Sequence, residues 1–168
     1  MSDTQDFSSE EAVAKLRDLV KSSPTCLFAT RLTVIPAHVC PMQVQEVDDD
    51  GNLWFFSGLN SDHTAHIEED RRVHLLFGNN SDYEYLTVFG EASISKDWEK
   101  IDDLWSPMVK TWFPEGKDDP NLSLIKVQPE KVHYWDTKAG KLVTLARIFA
   151  ASMTGKVADV GVQGDLKV

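Results

Sequence analysis

Ser61 and His63 stand at the opening of a short helical segment, Asn60-Ser61-Asp62-His63 followed by Ala65-His66-Ile67. A helix N-terminus exposes unpaired backbone N–H groups and the positive end of the helix dipole, so it can hold a phosphate. Ser61 adds a hydroxyl. His63 adds a donor that is a cation only when protonated. Without a ligand, the same pattern is a plain N-cap with Ser61 closing the first turn. Asp62 and the pair Glu68-Glu69 place negative charge nearby, which opposes a phosphate.

The segment before this helix, Leu53-Trp54-Phe55-Phe56-Ser57, has strand character. Alternation sends Trp54 and Phe56 to one face and Phe55 and Ser57 to the other. One face belongs to the core. The other can line a flat ring, with Ser57 giving a hydroxyl; an aromatic core strand is the plainer alternative. Upstream, Ala37 to Gln45 is a second extended run containing Val39-Cys40-Pro41-Met42. Its proline suits an edge strand or a bulge. Asp48-Asp49-Asp50-Gly51 is a turn between the two runs.

The remaining reactive residues point less clearly. Cys26 and Cys40 are not in a C-x-x-C arrangement and read as reduced thiols in apolar strands. Cys40 and His38 are two apart on one strand face, the one local pairing a cysteine nucleophile could use. His63 and His66 are three apart on the helix, yet no third metal ligand follows at a fitting spacing. His74 and His133 lie in other strands. Trp112-Phe113 sits at a helix end before Pro114, as an interface or core anchor or as a ring contact. There is no G-x-S-x-G elbow and no G-x-G-x-x-G fingerprint.

The elements that must position these residues follow from periodicity. Ser8 and Glu11 form a capping-box pattern, with Ala12, Val13, Leu16, Leu19 and Val20 as the apolar stripe and Pro24 at the end. Strands are expected at Thr25–Thr30, Val73–Phe77 and Tyr85–Ile94. Closing strands are expected at Leu124–Val127 and Lys131–Trp135, interrupted at Pro129. Asp97 to Trp112 reads as a helix that Pro107 kinks or splits. Leu142, Leu145, Ala146 and Phe149 can form a short amphipathic helix, and Gly155 to Val168 reads as a fraying tail. Short strands without regular βαβ alternation imply a curled antiparallel sheet.

The chain of 168 residues, 42% hydrophobic and 26% charged, suits one globular domain. Its net charge of −10 disfavours nucleic acid and anionic membrane surfaces. No apolar run has membrane-spanning length and the first residues are acidic, so a cytoplasmic location is expected.

Taken together, these pieces resemble the pyridoxamine-phosphate-oxidase-like family of flavin-binding split β-barrels, and within it the general stress protein branch. The resemblance rests on Val39-Cys40-Pro41-Met42, on Leu53 to Ser57 with Ser61-x-His63, and on Trp105-Ser106-Pro107 leading through Lys110 to Pro120. Val127-x-Pro129 and Tyr134-Trp135-Asp136 complete it, so that it covers about Ser8 to Gly140. It implies a mainly β (α+β) fold: a six-stranded antiparallel split barrel flanked by helices, as a single domain over 1–168 with a core at 8–140 and a C-terminal helix and tail at 141–168. It further implies FMN, with FAD as the alternative, bound in the cleft of a homodimer. The implied flavin contacts are Val39, Cys40, Pro41, Met42, Phe55, Phe56, Ser57, Ser61, His63, Trp112 and Phe113. Where the family commonly has Arg-Pro-Met, this chain has Cys40-Pro41-Met42. Where it has Ser-x-Lys, this chain has Ser61-x-His63. Two cationic phosphate anchors are therefore exchanged for a thiol and an imidazole, with Arg31 and Arg71 as the nearby cations that can compensate. The implied activity is flavin-dependent oxidoreduction with a stress-related role. A non-catalytic flavin binder or sensor is the alternative, and a haem or deazaflavin binder a weaker one.

Overall fold

The computed structural model describes residues 3–4, 7–8, 10–137 and 161–168. Helix α1 (Glu10–Ser22) buries Ala12, Leu16, Leu19 and Val20 as one stripe. Glu10 and Glu11 in its first turn and Lys21 in its last complement the helix dipole. Two short N-terminal strands, β1 (Asp3–Thr4) and β2 (Phe7–Ser8), precede it, and β3 (Thr25–Thr30) follows Pro24.

The remaining strands are β4 (His38–Gln43), β5 (Glu46–Val47), β6 (Leu53–Gly58), β7 (Arg72–Asn79), β8 (Glu84–Ser95), β9 (Leu122–Thr137) and β10 (Gly161–Lys167). β4, β3, β7, β8, β9 and β6 pair antiparallel in that spatial order. The sheet curls back on itself beyond β4. Val44 N–H donates to Pro24 O at 2.9 Å, Gln45 N–H donates to Trp54 O at 2.8 Å, and β5 pairs with β6. These are the six expected strands of the antiparallel split barrel, with β1, β2, β5 and β10 added.

Two expectations change. β9 is one strand of 16 residues rather than two, because Pro129 sits opposite Gly90 at a register shift. A proline without an N–H is tolerated where the ladder is already irregular. The tail does not fray over its last residues: β10 pairs antiparallel with β9 and parallel with β1 and β2, and Leu166 is buried. This covers an edge of β9 that would otherwise be open. The expected helix at Leu142–Phe149 lies outside the described residues. The segment after β8 splits at Pro107, into α3 (Trp98–Leu104) and a 3-10 turn at Val109–Thr111. Asp97 caps α3 by accepting from the N–H groups of Glu99 and Lys100.

Two apolar clusters flank β6. The larger holds Phe28, Phe55, Leu75, Val88, Ile125 and Tyr134. The smaller joins Trp54 to Ile101, Val109, Phe113, Leu122 and Leu124, with Phe56 and Trp105 against it. Alternation along β6 thus feeds both clusters. The turn before β6 is fixed by Asp48, which accepts from Trp54 Nε1 at 2.8 Å and from the Asn52 amide and backbone.

A Cβ added at Gly90 would lie 2.1 Å from the carbonyl oxygen of Gln128. Gly90→Ala is therefore expected to destabilise the fold by about 2–3 kcal/mol, since backbone must move to admit it. Gly78→Ala meets only the Tyr85 side chain at 3.4 Å. Chemical denaturation of the two variants should separate them clearly. Equal midpoints would show that β8 and β9 can part at no cost.

Candidate functional site

Helix α2 (Asp62–Glu69) starts where β6 ends. The connection is held by Asn121, the residue before β9: Leu59 N–H donates to Asn121 O at 2.8 Å and Asn60 N–H to Asn121 Oδ1 at 2.9 Å. Ser61 is the N-cap, extended at φ −82° and ψ 151°, and its Oγ accepts from Thr64 N–H at 3.3 Å. Thr64 in turn donates from its hydroxyl to Gly58 O at 2.9 Å. The helix mouth is thereby locked to the end of the aromatic strand.

A connected polar cluster sits on this mouth. His63 Nε2 lies 2.8 Å from Ser57 Oγ and 3.0 Å from Ser61 Oγ. On the other side of the ring, Nδ1 lies 3.7 Å from Cys40 Sγ on β4. Beside it, the rings of His38 and His66 meet edge to face at 4.9 Å, and Thr30 Oγ1 lies 3.0 Å from His66 Nδ1. Thr30 also lies 3.5 Å from His38 Nδ1. Three histidines and a thiol from β4 and α2 are thus gathered around buried hydroxyls of β3, β6 and α2.

Electrostatics disfavour charge on His63 and Cys40. Burial pushes the His63 pKa down, and the neighbouring His38 and His66 push it further, against the opposing pull of Asp62. Burial pushes the Cys40 thiol up. Cys26, deeper on β3, is pushed up to about 12 by burial and then by Cys40. A thiol raised and an imidazole lowered favour the neutral pair over thiolate and imidazolium, so Cys40–His63 is not an activated nucleophile. Its partner is also not the expected one: the structure sets His63, not His38, against Cys40, because the His38 side chain turns to Thr30 and His66. Among the described residues, no group of three His, Cys, Asp or Glu side chains is placed to hold a metal. Among the described residues, the hydrogen bonds and charge effects at His63 involve no lysine or arginine. Arg71 is engaged elsewhere, with Glu91 and the Ala92 carbonyl, and Arg31 is exposed in a left-handed turn at φ 54°.

Of the residues singled out in the sequence, Cys40, Ser57, Ser61 and His63 come together directly. Met42 packs on the larger apolar cluster from the same strand. Val39 and Pro41 point outward and are exposed. Phe55 is inside, edge to face with Phe28 at 5.3 Å. Phe56 meets Trp105 at 6.0 Å. Phe113 is buried in the smaller cluster, while Trp112 is 79% exposed. The sequence reading did not join Thr30, Thr64, His38 or His66 to the site. Thr64 and His66 carried a signal, each three residues beyond a site residue on one helix. Thr30 carried none, since it reaches His38 only through the β3–β4 register. A cavity of about 740 Å³ lined by Arg17, Lys21, Asp48 and Lys100 lies elsewhere and shares no residue with this cluster.

An antiparallel split barrel with a serine-capped helix at the end of its aromatic strand defines a class of protein. Residues 11–159 match the family model described as Pyridoxamine 5'-phosphate oxidase like, and the chain belongs to that family. General stress protein 26 of Bacillus subtilis is 38% identical over 69 residues, covering 39% of this chain and 49% of that protein. The chain spans about half the length of the curated relatives it matches. Among solved structures, a candidate general stress protein 26 from Jannaschia sp. CCS1 superposes with a TM-score of 0.78, covering 95% of this chain and 99% of that one. At 22% identity it shows the fold alone. The general stress FMN/FAD binding protein of Xanthomonas citri is 28% identical with a TM-score of 0.66, covering 75% of this chain and 89% of that one.

Because the folded pKa of His63 is depressed, its neutral form contributes stability that is full above about pH 6.5 and is lost as pH falls through the folded value. The ligand-free protein should lose stability from about pH 6.5 downward. His63→Gln keeps an amide toward Ser57 and cannot titrate, so its urea midpoint should fall less between pH 7.5 and pH 5.5. Parallel falls in both proteins would show that His63 is not held neutral.

Proposed function

We propose that this chain is a single-domain, cytoplasmic flavin-binding protein that acts as a homodimer, with FMN as the first ligand and FAD as the alternative. The observation that carries this reading is the convergence of Cys40, Ser57, Ser61 and His63, from β4, β6 and α2, at one helix mouth beside an aromatic strand. Membership of the pyridoxamine 5'-phosphate oxidase like family and the FMN/FAD binding of the Xanthomonas citri relative support it. In this reading Val39, Cys40, Pro41, Met42, Phe55, Phe56, Ser57, Ser61, His63, Trp112 and Phe113 surround the flavin across two protomers. When bound, the flavin supplies electron and hydride transfer. The chain's own residues bind it, orient it and limit water. The finer reading is an oxidoreductase with a stress-related role.

The neutral Cys40–His63 pair favours a second reading, a flavin binder or sensor without turnover, since neither member is an activated acid or base. The fit is uneven along the ligand. Strand and helix mouth suit a ring and hydroxyls, whereas the donor set at α2 offers hydroxyls and imidazole without a fixed cation for a dianionic phosphate. Freshly purified protein should show the two visible bands of an oxidised flavin, or gain them on titration with riboflavin or FMN. Anaerobic NADH or NADPH should then bleach them if the chain is an oxidoreductase and leave them unchanged if it is a passive binder. A Soret band, or no flavin uptake at all, would end the flavin reading.

The exposed sheet face supports a dimer more directly than the aromatic residues do. Leu27, Val39 and Leu76 are 51%, 48% and 39% exposed, and Leu27 is in register with Leu76 on one side and Pro41 on the other. A second copy of this chain covers that face in the proposed assembly. Sedimentation at micromolar concentration should give a dimer, and Leu27→Glu with Leu76→Glu should give a folded monomer. A monomeric wild-type protein would refute it.

A further inference from the structure

We propose that dimerisation of this chain is proton-linked through His74, so that two copies associate while His74 is neutral and separate when it takes up a proton. The proposal rests on the homodimer reading above and deepens it.

Strand register carries the argument. On the outer face of the sheet, Pro41, Leu27, Leu76 and Thr87 stand in one cross-strand row over β4, β3, β7 and β8. Val39, Ala29, His74 and Phe89 stand in the next row over the same strands. His74 is two residues from Leu76 on β7 and so shares its face. Neighbouring strands lie about 5 Å apart, so a second copy that covers Leu27, Val39 and Leu76 also covers His74. The half-buried His74 ring stands edge to face with Phe89 at 6.3 Å.

Charge favours a second copy as the occupant. A chain of net charge −10 meets its own kind at least cost through a face without carboxylates. His74 is the one titratable side chain in these two rows. A two-fold contact brings the same patch from each protomer, so two His74 rings enter together.

Among the described residues, the charged groups bordering His74 on this face are Arg72, Glu91 and Lys131. Arg72 is held by Asp70, and Glu91 lies opposite Arg72 with Arg71 at 3.8 Å. Lys131 lies beyond Phe89. β3 and β4 bring no charged group to the face. The other histidine of the face, His133, lies beyond Thr87 and meets Asp165 at 2.7 Å, so a carboxylate accompanies its charge. His74 has no such companion. Covering a protonated ring there strips its hydration, whereas a neutral ring packs against Phe89 and the leucines. The dimer therefore binds fewer protons than two monomers. Association is full above the ordinary imidazole range, near pH 6.5, and is lost as pH falls through it. Acidification also lowers the negative charge of the whole chain, which by itself would tighten the dimer, so the two effects differ in sign.

Sedimentation of the full chain over a concentration series at pH 7.5 and pH 5.5 tests this, with circular dichroism reporting the fold at each pH. The dimer Kd should rise about a hundredfold on acidification, about tenfold for each ordinary imidazole that must shed its proton to enter the contact. His74→Gln cannot titrate and should hold its Kd within about threefold between the two values. His74→Lys carries a permanent charge and should be a folded monomer at both; His74→Gln decides the matter if that variant does not fold. A wild-type dimer whose Kd is flat, or tightens at pH 5.5, overturns the proton link and leaves the dimer standing. A pH dependence retained in His74→Gln also overturns it. A monomeric wild-type protein at pH 7.5 removes the dimer and the link together.

Discussion

The barrel depends on how closely two backbones approach at Gly90. β8 and β9 form one long ribbon whose halves belong to different parts of the sheet. The first half of β9 pairs with β6 and the second with β10, while β8 runs beside both. The change of direction happens at the register shift between Phe89 and Gly90, opposite Gln128 and Pro129. A side chain at Gly90 would meet the Gln128 carbonyl, and an N–H at position 129 would meet an irregular ladder. Glycine on one strand and proline on the other satisfy both sides of the bulge. The bend then lets β6 lie between β9 and β5, which carries Ser57 and the start of α2 to the helix mouth.

Position, rather than residue type, favours the neutral forms of His63 and Cys40 at that mouth. A surface histidine near an aspartate would be ready to protonate near neutrality. His63 lies instead against Phe28, with ring centroids 6.5 Å apart, and is acted on by the charges of His38 and His66. Desolvation and like charge act in the same direction, and Asp62 only partly opposes them. Cys40 is subject to the same desolvation from the opposite sign of chemistry. The result is a set of hydrogen-bonding groups with little fixed charge, in a family position where the resemblance placed cations.

Much of the architecture was legible in the chain. The apolar stripe of α1, the strand alternation around Phe28, Leu75 and Val88, and the break at Pro107 all follow local periodicity. Pro129 misled because local rules assign a proline in a strand to a break. The opposite strand supplies an irregularity that absorbs it. The last residues misled because three glycines read as a free end. Leu166 has a partner in Val132 that lies more than thirty residues away.

By itself, the sequence determined the strand-forming runs, the first helix, the serine cap of α2 and the presence of Cys40 and His63 beside them. Each of these is a local pattern or a residue type at a fixed spacing. Only the tertiary structure decided that Cys40 faces His63, that His38 turns to His66 through Thr30, and that Leu27, Val39 and Leu76 share one exposed face. Those neighbours are set by strand register and by the curl of the sheet. Register is fixed by long-range pairing, which no local window of the chain contains.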